Sequence, residues 1–369
     1  MENELNMYSY LKFVHHGSRL EKLRNGEQPY PVSLRFVLSD FCNHNCSFCI
    51  FRLEGDDSNK LFGVVNKKTG VRNNNPNRMI PTSKALEIID DCKVMGVKSI
   101  EFTGGGEPTA QPEHIKIFQK VIDSDIEYAL ITNGSIFKPG LVDVLMHATW
   151  CRFSLDAGTA KTYSYVREVP QKVFKKVQNN IKTLSKARDK NKSNLTIGTS
   201  FIITDNNYNE LYEAAKIASG LGVDNFRIGY YRTDEGFIEP AYHDNIIETI
   251  ERCKQDFERP GFDIIDRYDS TSANIAEGRP NYKFCGYQHF STWIAADLNV
   301  YRCCVTSYNE HGLVGSIKDQ SFKELWDSEQ KKKALQNFNA KSCKRCIYND
   351  KNKGINYFLN NKPPHINFV

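Results

Sequence analysis

The chain has 369 residues, a formal net charge of +5, 40% hydrophobic residues and 25% charged residues. These values are ordinary for a globular protein that is long enough for two domains, and they exclude a fibrous or low-complexity chain. No stretch reaches the roughly 18 apolar residues of a membrane span, and the first twenty residues lack a signal-peptide core. We therefore expect a cytoplasmic protein without a membrane partner.

Residues 1–30 predict a short helical extension that ends at Pro29 and Pro31. Strand-like and helix-like runs then alternate through residues 31–232. The predicted strands are 32–38, 97–103, 126–132, 151–155, 195–203 and 223–230, and the predicted helices between them are 85–95, 112–124, 138–147, 171–188 and 208–220. Several of these strands are nearly continuous apolar runs, which indicates a parallel sheet covered by helices, with chemistry at the carboxyl ends of the strands.

The long polar connection 52–78 predicts either a lid over the site or a disordered loop. After residue 232 the alternation stops. We expect a connecting helix within 233–260, a smaller domain over 261–350 with a β-hairpin at 291–304 and a helix at 322–335, and a tail over 351–369.

Cysteine usage points to metal binding. The chain has 11 cysteines, of which Cys92, Cys151 and Cys253 stand alone while the others form two groups. In a reducing compartment, grouped cysteines favour metal ligation over disulfides. The first group, Cys42, Cys46 and Cys49, has C-x3-C-x2-C spacing directly after the first strand. Three thiolates can ligate a [4Fe-4S] cluster and leave one iron open, although a zinc knuckle or buried structural cysteines remain alternatives here.

A glycine-rich turn follows the second strand. Gly104, Gly105 and Gly106 allow close backbone approach to a small molecule, and Glu107 could accept hydrogen bonds from an ammonium group. The pattern is not the G-x-G-x-x-G dinucleotide fingerprint, and alone it could be a tight structural turn.

The two motifs together resemble those of radical S-adenosylmethionine (radical SAM) enzymes over about residues 32–232. Phe48 stands in the aromatic position before the last cysteine, and the run from Gly105 to Glu107 matches the GGE-type strand end. The resemblance implies a partial (β/α)6 barrel of radical SAM type in which S-adenosylmethionine chelates the open iron of a [4Fe-4S] cluster. It also implies that the glycine-rich strand end meets the cofactor's amino group, and that reductive cleavage yields a 5′-deoxyadenosyl radical.

Further positions match along the sheet. Thr132 and Asn133 end the third predicted strand, Ser154 ends the fourth, and Arg167 follows thirteen residues later. The resemblance implies that these residues contact the cofactor, with Arg167 reaching its carboxylate. Alone, Ser154 would read as a helix cap and Arg167 as a surface residue.

The second cysteine group resembles the ligand set of a Twitch domain, a shortened relative of the SPASM domain, in a small C-terminal α+β unit. Cys285, Cys303, Cys343 and Cys346 would then hold one auxiliary [4Fe-4S] cluster, with zinc as the alternative. Side chains of neighbouring strand residues point to opposite faces, so we expect Cys304 to be spare. It would be either a small buried hydrophobic residue or a catalytic hydrogen-atom donor in an epimerase-like step.

The sequence thus predicts a radical SAM enzyme, an oxidoreductase or isomerase, that abstracts hydrogen from a small polar substrate such as a sugar, cyclitol or nucleotide-like molecule. We expect a small substrate because no extra N-terminal domain is present to grip a leader peptide, and the basic region 331–362 favours an anionic one. A flavodoxin or ferredoxin would supply electrons. Modification of a peptide or nucleic acid is the alternative, and a non-enzymatic iron-sulfur or zinc electron-transfer protein is the rival class.

Overall fold

The computed structural model describes residues 7, 9–52, 59–65, 69–70, 72–233, 236–237, 242–268 and 278–359. The α-helices are α1 Gly17–Arg24, α2 Thr82–Met95, α3 His114–Asp123, α4 Leu141–Leu145, α5 Ala160–Arg167, α6 Lys172–Asn191, α7 Leu211–Ser219, α8 His243–Phe257, α9 Phe322–Asp327, α10 Glu329–Gln336 and α11 Asn349–Leu359. The strands are β1 Ser33–Phe36, β2 Val64–Val65, β3 Arg72–Asn73, β4 Ser99–Phe102, β5 Glu127–Thr132, β6 Trp150–Ser154, β7 Thr196–Ile203, β8 Asn225–Tyr230, β9 Arg232–Thr233, β10 Gly236–Phe237, β11 Asp263–Asp266, β12 Ser291–Ile294, β13 Asn299–Tyr301 and β14 Leu313–Ser316.

One ten-stranded sheet organises the molecule, in the order β11-β8-β7-β6-β5-β4-β1-β12-β13-β14. The six predicted strands correspond to β1 and β4 to β8, and they pair in parallel in sequence order. The predicted parallel α/β fold is therefore confirmed. The order places β11 and β14 at opposite edges of this sheet, so over the described residues the barrel is partial rather than closed.

Strands that follow residue 232 in the chain extend both edges of the parallel sheet. β11 pairs in parallel with β8, and β12 pairs in parallel with β1 before turning into the antiparallel strands β13 and β14. The C-terminal hairpin thus continues the sheet that carries the first cysteine motif. The first cysteine group follows β1 of this sheet, and in the second group Cys285 precedes β12 and Cys303 follows β13, whereas Cys343 and Cys346 lie between α10 and α11.

The two faces of the parallel sheet differ in what covers them. Phe36 and Phe102 stack with ring centroids 5.8 Å apart, and Phe118 of α3 packs on Phe102 at 4.6 Å. The residues that alternate with them, including Arg35 and Glu101, are only half-buried. We call this second side of the sheet the concave face.

Two details differ from the sequence predictions. The helix expected at 322–335 is two helices, because the chain turns at Ser328, whose side chain caps α10 by accepting from the Lys331 amide. The described part of the 52–78 connection packs inward, with Phe62 wholly buried and the Leu61 amide donating to the Tyr308 carbonyl at 2.8 Å. The lid prediction also involves residues 53–58, 66–68 and 71, which lie outside the described residues. No helix among the described residues is long and apolar enough to cross a membrane.

Candidate active site

The first cysteine loop leaves the carboxyl end of β1 and is clamped by the connection that follows it. The Cys42 amide donates to Asn75 Oδ1 and the Cys42 carbonyl accepts from Asn75 Nδ2, each at 3.0 Å. Arg52 donates to the same Asn75 oxygen at 2.8 Å and to the His44 carbonyl at 2.5 Å. These bonds fix the loop backbone while its cysteines stay half-buried and unpaired by disulfides.

The three thiols of the loop influence one another. Burial raises the pKa of the Cys46 thiol to about 12, Arg167 opposes that shift, and Cys49 and Cys42 add to it. An iron cluster binds thiolates, and its positive charge would offset the rise that burial causes in the pKa of Cys42 and Cys46. The cysteines present therefore fit the implied cluster.

A single zinc ion is the alternative to a cluster at the cysteine groups. Among the described residues, no set of three or more His, Cys, Asp or Glu side chains is gathered closely enough to hold one ion. Zinc needs its thiolates about 2.3 Å from one centre, whereas a four-iron cluster spreads its ligands around a larger cube.

The glycine run after β4 packs directly against the start of the cysteine loop. The Gly106 amide donates to the Ser39 carbonyl at 2.8 Å and the Glu107 amide to the Phe41 carbonyl at 2.9 Å. A Cβ on Gly105 would lie 2.5 Å from Asp40 Oδ1, and one on Gly106 would collide with the Phe41 backbone. Gly104 is also closed off, since its Cβ would meet the Gly106 carbonyl. Glycine is thus required here by the close approach of two backbones.

Glu107 is engaged inside the protein. Its Oε1 accepts from the Thr109 amide at 3.1 Å, the Thr109 hydroxyl at 2.6 Å and the Thr132 hydroxyl at 2.7 Å, and its Oε2 accepts from the Asn133 amide at 2.7 Å. The side chain is 2% exposed. The carboxylate therefore ties the end of β4 to the end of β5, a role that the sequence did not indicate.

Asn133 extends this connection to the cysteine loop. Its Nδ2 donates to Asn43 Oδ1 at 2.9 Å and lies 3.7 Å from Cys42 Sγ. Ser135 continues the contact, because its hydroxyl accepts from Asn43 Nδ2 at 2.8 Å and meets His44 Nε2 at 3.1 Å. Ser154 is half-buried at the end of β6, and Phe48 is half-buried in the turn before Cys49.

Arg167 is buried beneath the cysteine loop and is not a surface residue. It is 3% exposed, it forms an ion pair with Asp156, and its Nη1 lies 3.5 Å from His44 Nδ1. Burial lowers its pKa, but the charges of Asp156 and Cys46 more than reverse that effect, so the guanidinium stays charged. Its carbonyl accepts from the Asn45 amide at 3.2 Å. Arg167 thus supports the loop with both backbone and side chain.

The second cysteine group also gathers in space. Burial raises the pKa of Cys285 to about 12, and Cys303 and Cys346 add to the shift. Burial likewise raises the pKa of Cys343, with Cys303, Cys285 and Cys346 contributing. Arg302 is the nearby cation: its Nη1 donates to Gln288 Oε1 at 2.8 Å and its Nη2 to the Ala334 carbonyl at 2.7 Å.

One step of the sequence reasoning about this group was wrong. β13 ends at Tyr301, so Cys303 and Cys304 lie in a turn and not on a strand. The alternation of strand side chains therefore does not decide between them. Both lie near the other thiols, because the charge of Cys303 acts on Cys285 and Cys343 while that of Cys304 acts on Cys303 and Cys346. Cys304 differs in that its Sγ also lies 3.0 Å from Tyr348 Oη.

Comparison with known proteins matches this geometry to a family. Residues 36–218 match the Radical SAM superfamily, and residues 285–347 match the SPASM iron-sulfur cluster-binding domain. The chain belongs to the radical SAM superfamily. Its cofactors are accordingly S-adenosylmethionine, the [4Fe-4S] cluster of the first cysteine loop and auxiliary iron-sulfur ligation in the SPASM domain.

Individual relatives are distant. AdoMet-dependent heme synthase of Methanosarcina barkeri is 23% identical over 321 residues, which are 81% of this chain and 83% of that protein. SuiB of Streptococcus suis bound to the precursor peptide SuiA superposes with a TM-score of 0.62 at 16% identity, covering 88% of this chain and 70% of SuiB. Native anSMEcpe with bound AdoMet gives a TM-score of 0.55 at 15% identity, covering 89% and 97%. These two structures support the fold alone.

In this radical SAM protein, basic groups line the concave face near the SPASM domain. Arg35 on β1 lies 3.6 Å from Glu101 on β4. Lys351 of α11 lies 6.0 Å from the ring centroids of both Tyr287 and Tyr348, which stack on each other at 3.8 Å. Burial lowers the pKa of Lys351 to about 8, and the nearby charges of Arg35, Lys12 and Arg267 lower it further. These cations lie near Cys304, because the charges of Tyr348, Tyr287 and Cys304 each raise the pKa of Arg35.

The sequence reasoning missed Arg35. Its signal was available, because an arginine within the apolar run 32–38 is out of place in a strand that is buried on both faces. It also missed the buried link between the first cysteine loop and the SPASM domain. There Asp40 pairs with Arg78 at 2.5 Å and accepts a short hydrogen bond from the Tyr308 hydroxyl. Nothing in the sequence pattern couples these three positions.

Proposed function

We propose that this radical SAM enzyme removes a hydrogen atom from a small anionic substrate bound on the concave face, between the Cys42–Cys49 loop and Cys304. The observation that carries the proposal is a patch of cations, in which the charges of Arg35, Lys12 and Arg267 act on Lys351, while Glu101 lies 3.6 Å from Arg35. Half-buried cations of this kind form strong charge-assisted hydrogen bonds with a carboxylate or phosphate.

The residues of the first loop have defined roles in this proposal. Cys42, Cys46 and Cys49 hold the cluster, and the backbone at the ends of β4, β5 and β6 holds the cofactor, with Ser154 on the concave face. When bound, the cofactor supplies the 5′-deoxyadenosyl group that accepts the substrate's hydrogen atom. Internal hydrogen bonds hold the cysteine loop and the strand ends in place, and they are made by Glu107, Asn133 and Arg167.

The size of the substrate is inferred from two features. The concave face is bordered by the SPASM domain through Tyr287 and Tyr348, whose stacked rings suit a compact or planar molecule. The relative from Methanosarcina barkeri is named for making heme, a small molecule that carries carboxylates, and we extend that chemical class to this chain. The reaction is then a dehydrogenation or an epimerisation of such a molecule.

The proposal is tested by 5′-deoxyadenosine release. The anaerobically reconstituted, dithionite-reduced enzyme would be assayed with three probes: a porphyrin carboxylate, a sugar phosphate and a neutral capped tripeptide. We expect an acidic probe to stimulate release. Arg35→Gln should reduce that stimulation about tenfold at limiting probe, because it removes one charge-assisted hydrogen bond to the probe. Arg252→Gln, a change at a 65% exposed side chain on α8, is the matched control and should behave as wild type.

Two results would contradict the proposal. One is stimulation by the neutral peptide alone, which would favour the alternative prediction of a peptide substrate. The other is equal stimulation of wild type and Arg35→Gln by the acidic probe. Where a probe is converted, the product identifies the reaction. Deuterium from solvent at the reacting carbon would indicate epimerisation, and net loss of two hydrogens would indicate dehydrogenation.

A further inference from the structure

A second cavity lies away from the concave face, where α1, α10 and α11 meet. It has a volume of about 480 Å³ and is lined among others by Leu23, Arg24, Phe284, His289, Leu335 and Leu359. A volume in this range is that of a small-molecule pocket. Neither the radical SAM chemistry nor the proposed substrate site uses these residues.

His289 contributes an unsatisfied polar group to this cavity. It is 2% exposed, and neither ring nitrogen has a hydrogen-bond partner among the described residues. Burial lowers its pKa to about 3, with Lys331 and Arg302 acting in the same direction, so the ring is neutral and carries one N–H donor. A buried donor without a partner costs about 1–3 kcal/mol, and a bound acceptor would recover that energy.

Arg24 provides a second donor on the cavity wall. Its Nη1 lies 3.3 Å from Glu21 Oε2 and its Nη2 donates to the Phe358 carbonyl at 2.9 Å. Its Nε is buried and has no partner in the part of the chain that the structure describes. The guanidinium is held in place, because it lies 4.1 Å over the Phe358 ring. Two fixed nitrogen donors, one of them charged, therefore border the same cavity.

The remaining walls are suited to an apolar body. Leu23, Leu335 and Leu359 supply aliphatic surface. The Phe284 ring lies nearly parallel to the His289 ring, with centroids 5.2 Å apart and an interplanar angle of 15°. Lys331, wholly buried close by, donates to Gln28 Oε1 at 3.3 Å behind the cavity, and burial lowers its pKa to about 7. Glu27, which is exposed, is the one acid among the lining residues.

We propose that this cavity is a binding site for a small organic carboxylate with an apolar or aromatic body, whose carboxylate accepts hydrogen bonds from Arg24 Nε and His289. The body of the ligand packs between the leucines and Phe284. The site is independent of the proposed substrate site, because it shares no residue with the concave-face patch. It lies beside the SPASM cysteines, since Gln288, the neighbour of His289, holds Arg302.

Calorimetric titration of the full-length, cluster-reconstituted protein tests the site, with 3-phenylpropionate as the probe and 3-phenylpropylamine as the charge-reversed comparison. We expect the carboxylate to bind with 1:1 stoichiometry and the amine not to bind. Arg24→Gln should weaken binding about tenfold, the worth of one charge-assisted hydrogen bond. His289→Phe should abolish it, because the larger ring removes the donor and fills the cavity while keeping an aromatic partner for Phe284.

The matched control is Lys22→Gln, a change at an exposed residue of the same helix that does not line the cavity. It should bind as wild type does. Iron content and far-UV circular dichroism identify any variant that fails to fold, and Arg24→Gln carries the test if His289→Phe is such a variant. The proposal is overturned if wild type does not bind the carboxylate at millimolar concentration, if the amine binds equally well, or if Arg24→Gln leaves the affinity unchanged.

Discussion

Replacing Glu107 with glutamine separates a structural from a cofactor-binding role for this carboxylate. Three of its four internal donors meet Oε1, which a glutamine oxygen could still occupy, but the amide nitrogen would then face the Asn133 amide. One charge-assisted bond is lost, and two N–H groups oppose each other at a site that is 2% exposed. We expect a loss of about 3 kcal/mol in the free energy of unfolding.

The assay is urea unfolding of the cluster-free protein, followed by far-UV circular dichroism without S-adenosylmethionine. With an m-value of about 3 kcal/mol/M, the midpoint should fall by about 1 M. The control, Glu113→Gln, changes a carboxylate with a 54% exposed side chain on the same loop and should stay within about 0.5 kcal/mol of wild type. If Glu107→Gln unfolds like wild type yet no longer binds S-adenosylmethionine, the carboxylate's main partner is the cofactor's amino group and our reasoning is refuted.

Three further variants test neighbouring parts of the site. Lys351, with its pKa lowered to about 8, is a cation below that pH, so the KM for an acidic substrate should rise as pH increases through 8. Lys351→Arg should abolish that rise, and an unchanged KM profile would remove Lys351 from the substrate site. If the reaction is an epimerisation, Cys304→Ala should keep cofactor cleavage but lower product formation about tenfold, because this thiol at the edge of the substrate face would be the hydrogen-atom donor; wild-type turnover would show that Cys304 is not that donor. Tyr308→Phe removes the hydroxyl that donates to buried Asp40 and should cost about 2 kcal/mol in urea unfolding, whereas Tyr357→Phe, at a 67% exposed ring, should cost nothing measurable.

The sequence predicted the parallel half of the fold well, because its strands fall within apolar runs that alternate with segments of helical periodicity. It did not reveal β11, whose four residues Asp-Ile-Ile-Asp carry little periodic signal and follow a Pro-Gly turn at Pro260 and Gly261. Nor did it reveal that β12 pairs in parallel with β1. That pairing joins residues more than 250 positions apart, and local patterns carry no information about such contacts.

The candidate site shows a similar division. Spacing singled out the seven predicted ligand cysteines and the glycine turn, since ligand geometry and close backbone approach leave local signatures. The sequence carries no local signature that tells whether a polar side chain faces a ligand or the protein interior. Glu107 and Arg167 both turn inward to neighbouring strands and loops, and His289 and Arg24 meet at a cavity although they stand far apart in the chain.

The central claim is that the chain has two iron-sulfur sites and that the first of them cleaves S-adenosylmethionine. It is tested most directly by iron analysis and 5′-deoxyadenosine release from the reconstituted protein and two variants. We predict about eight irons per chain in wild type and about four in each of Cys46→Ala and Cys346→Ala, if each site holds a four-iron cluster. Cleavage should be lost in Cys46→Ala and retained in Cys346→Ala. About four irons in wild type with no release of 5′-deoxyadenosine under reduction would contradict the account.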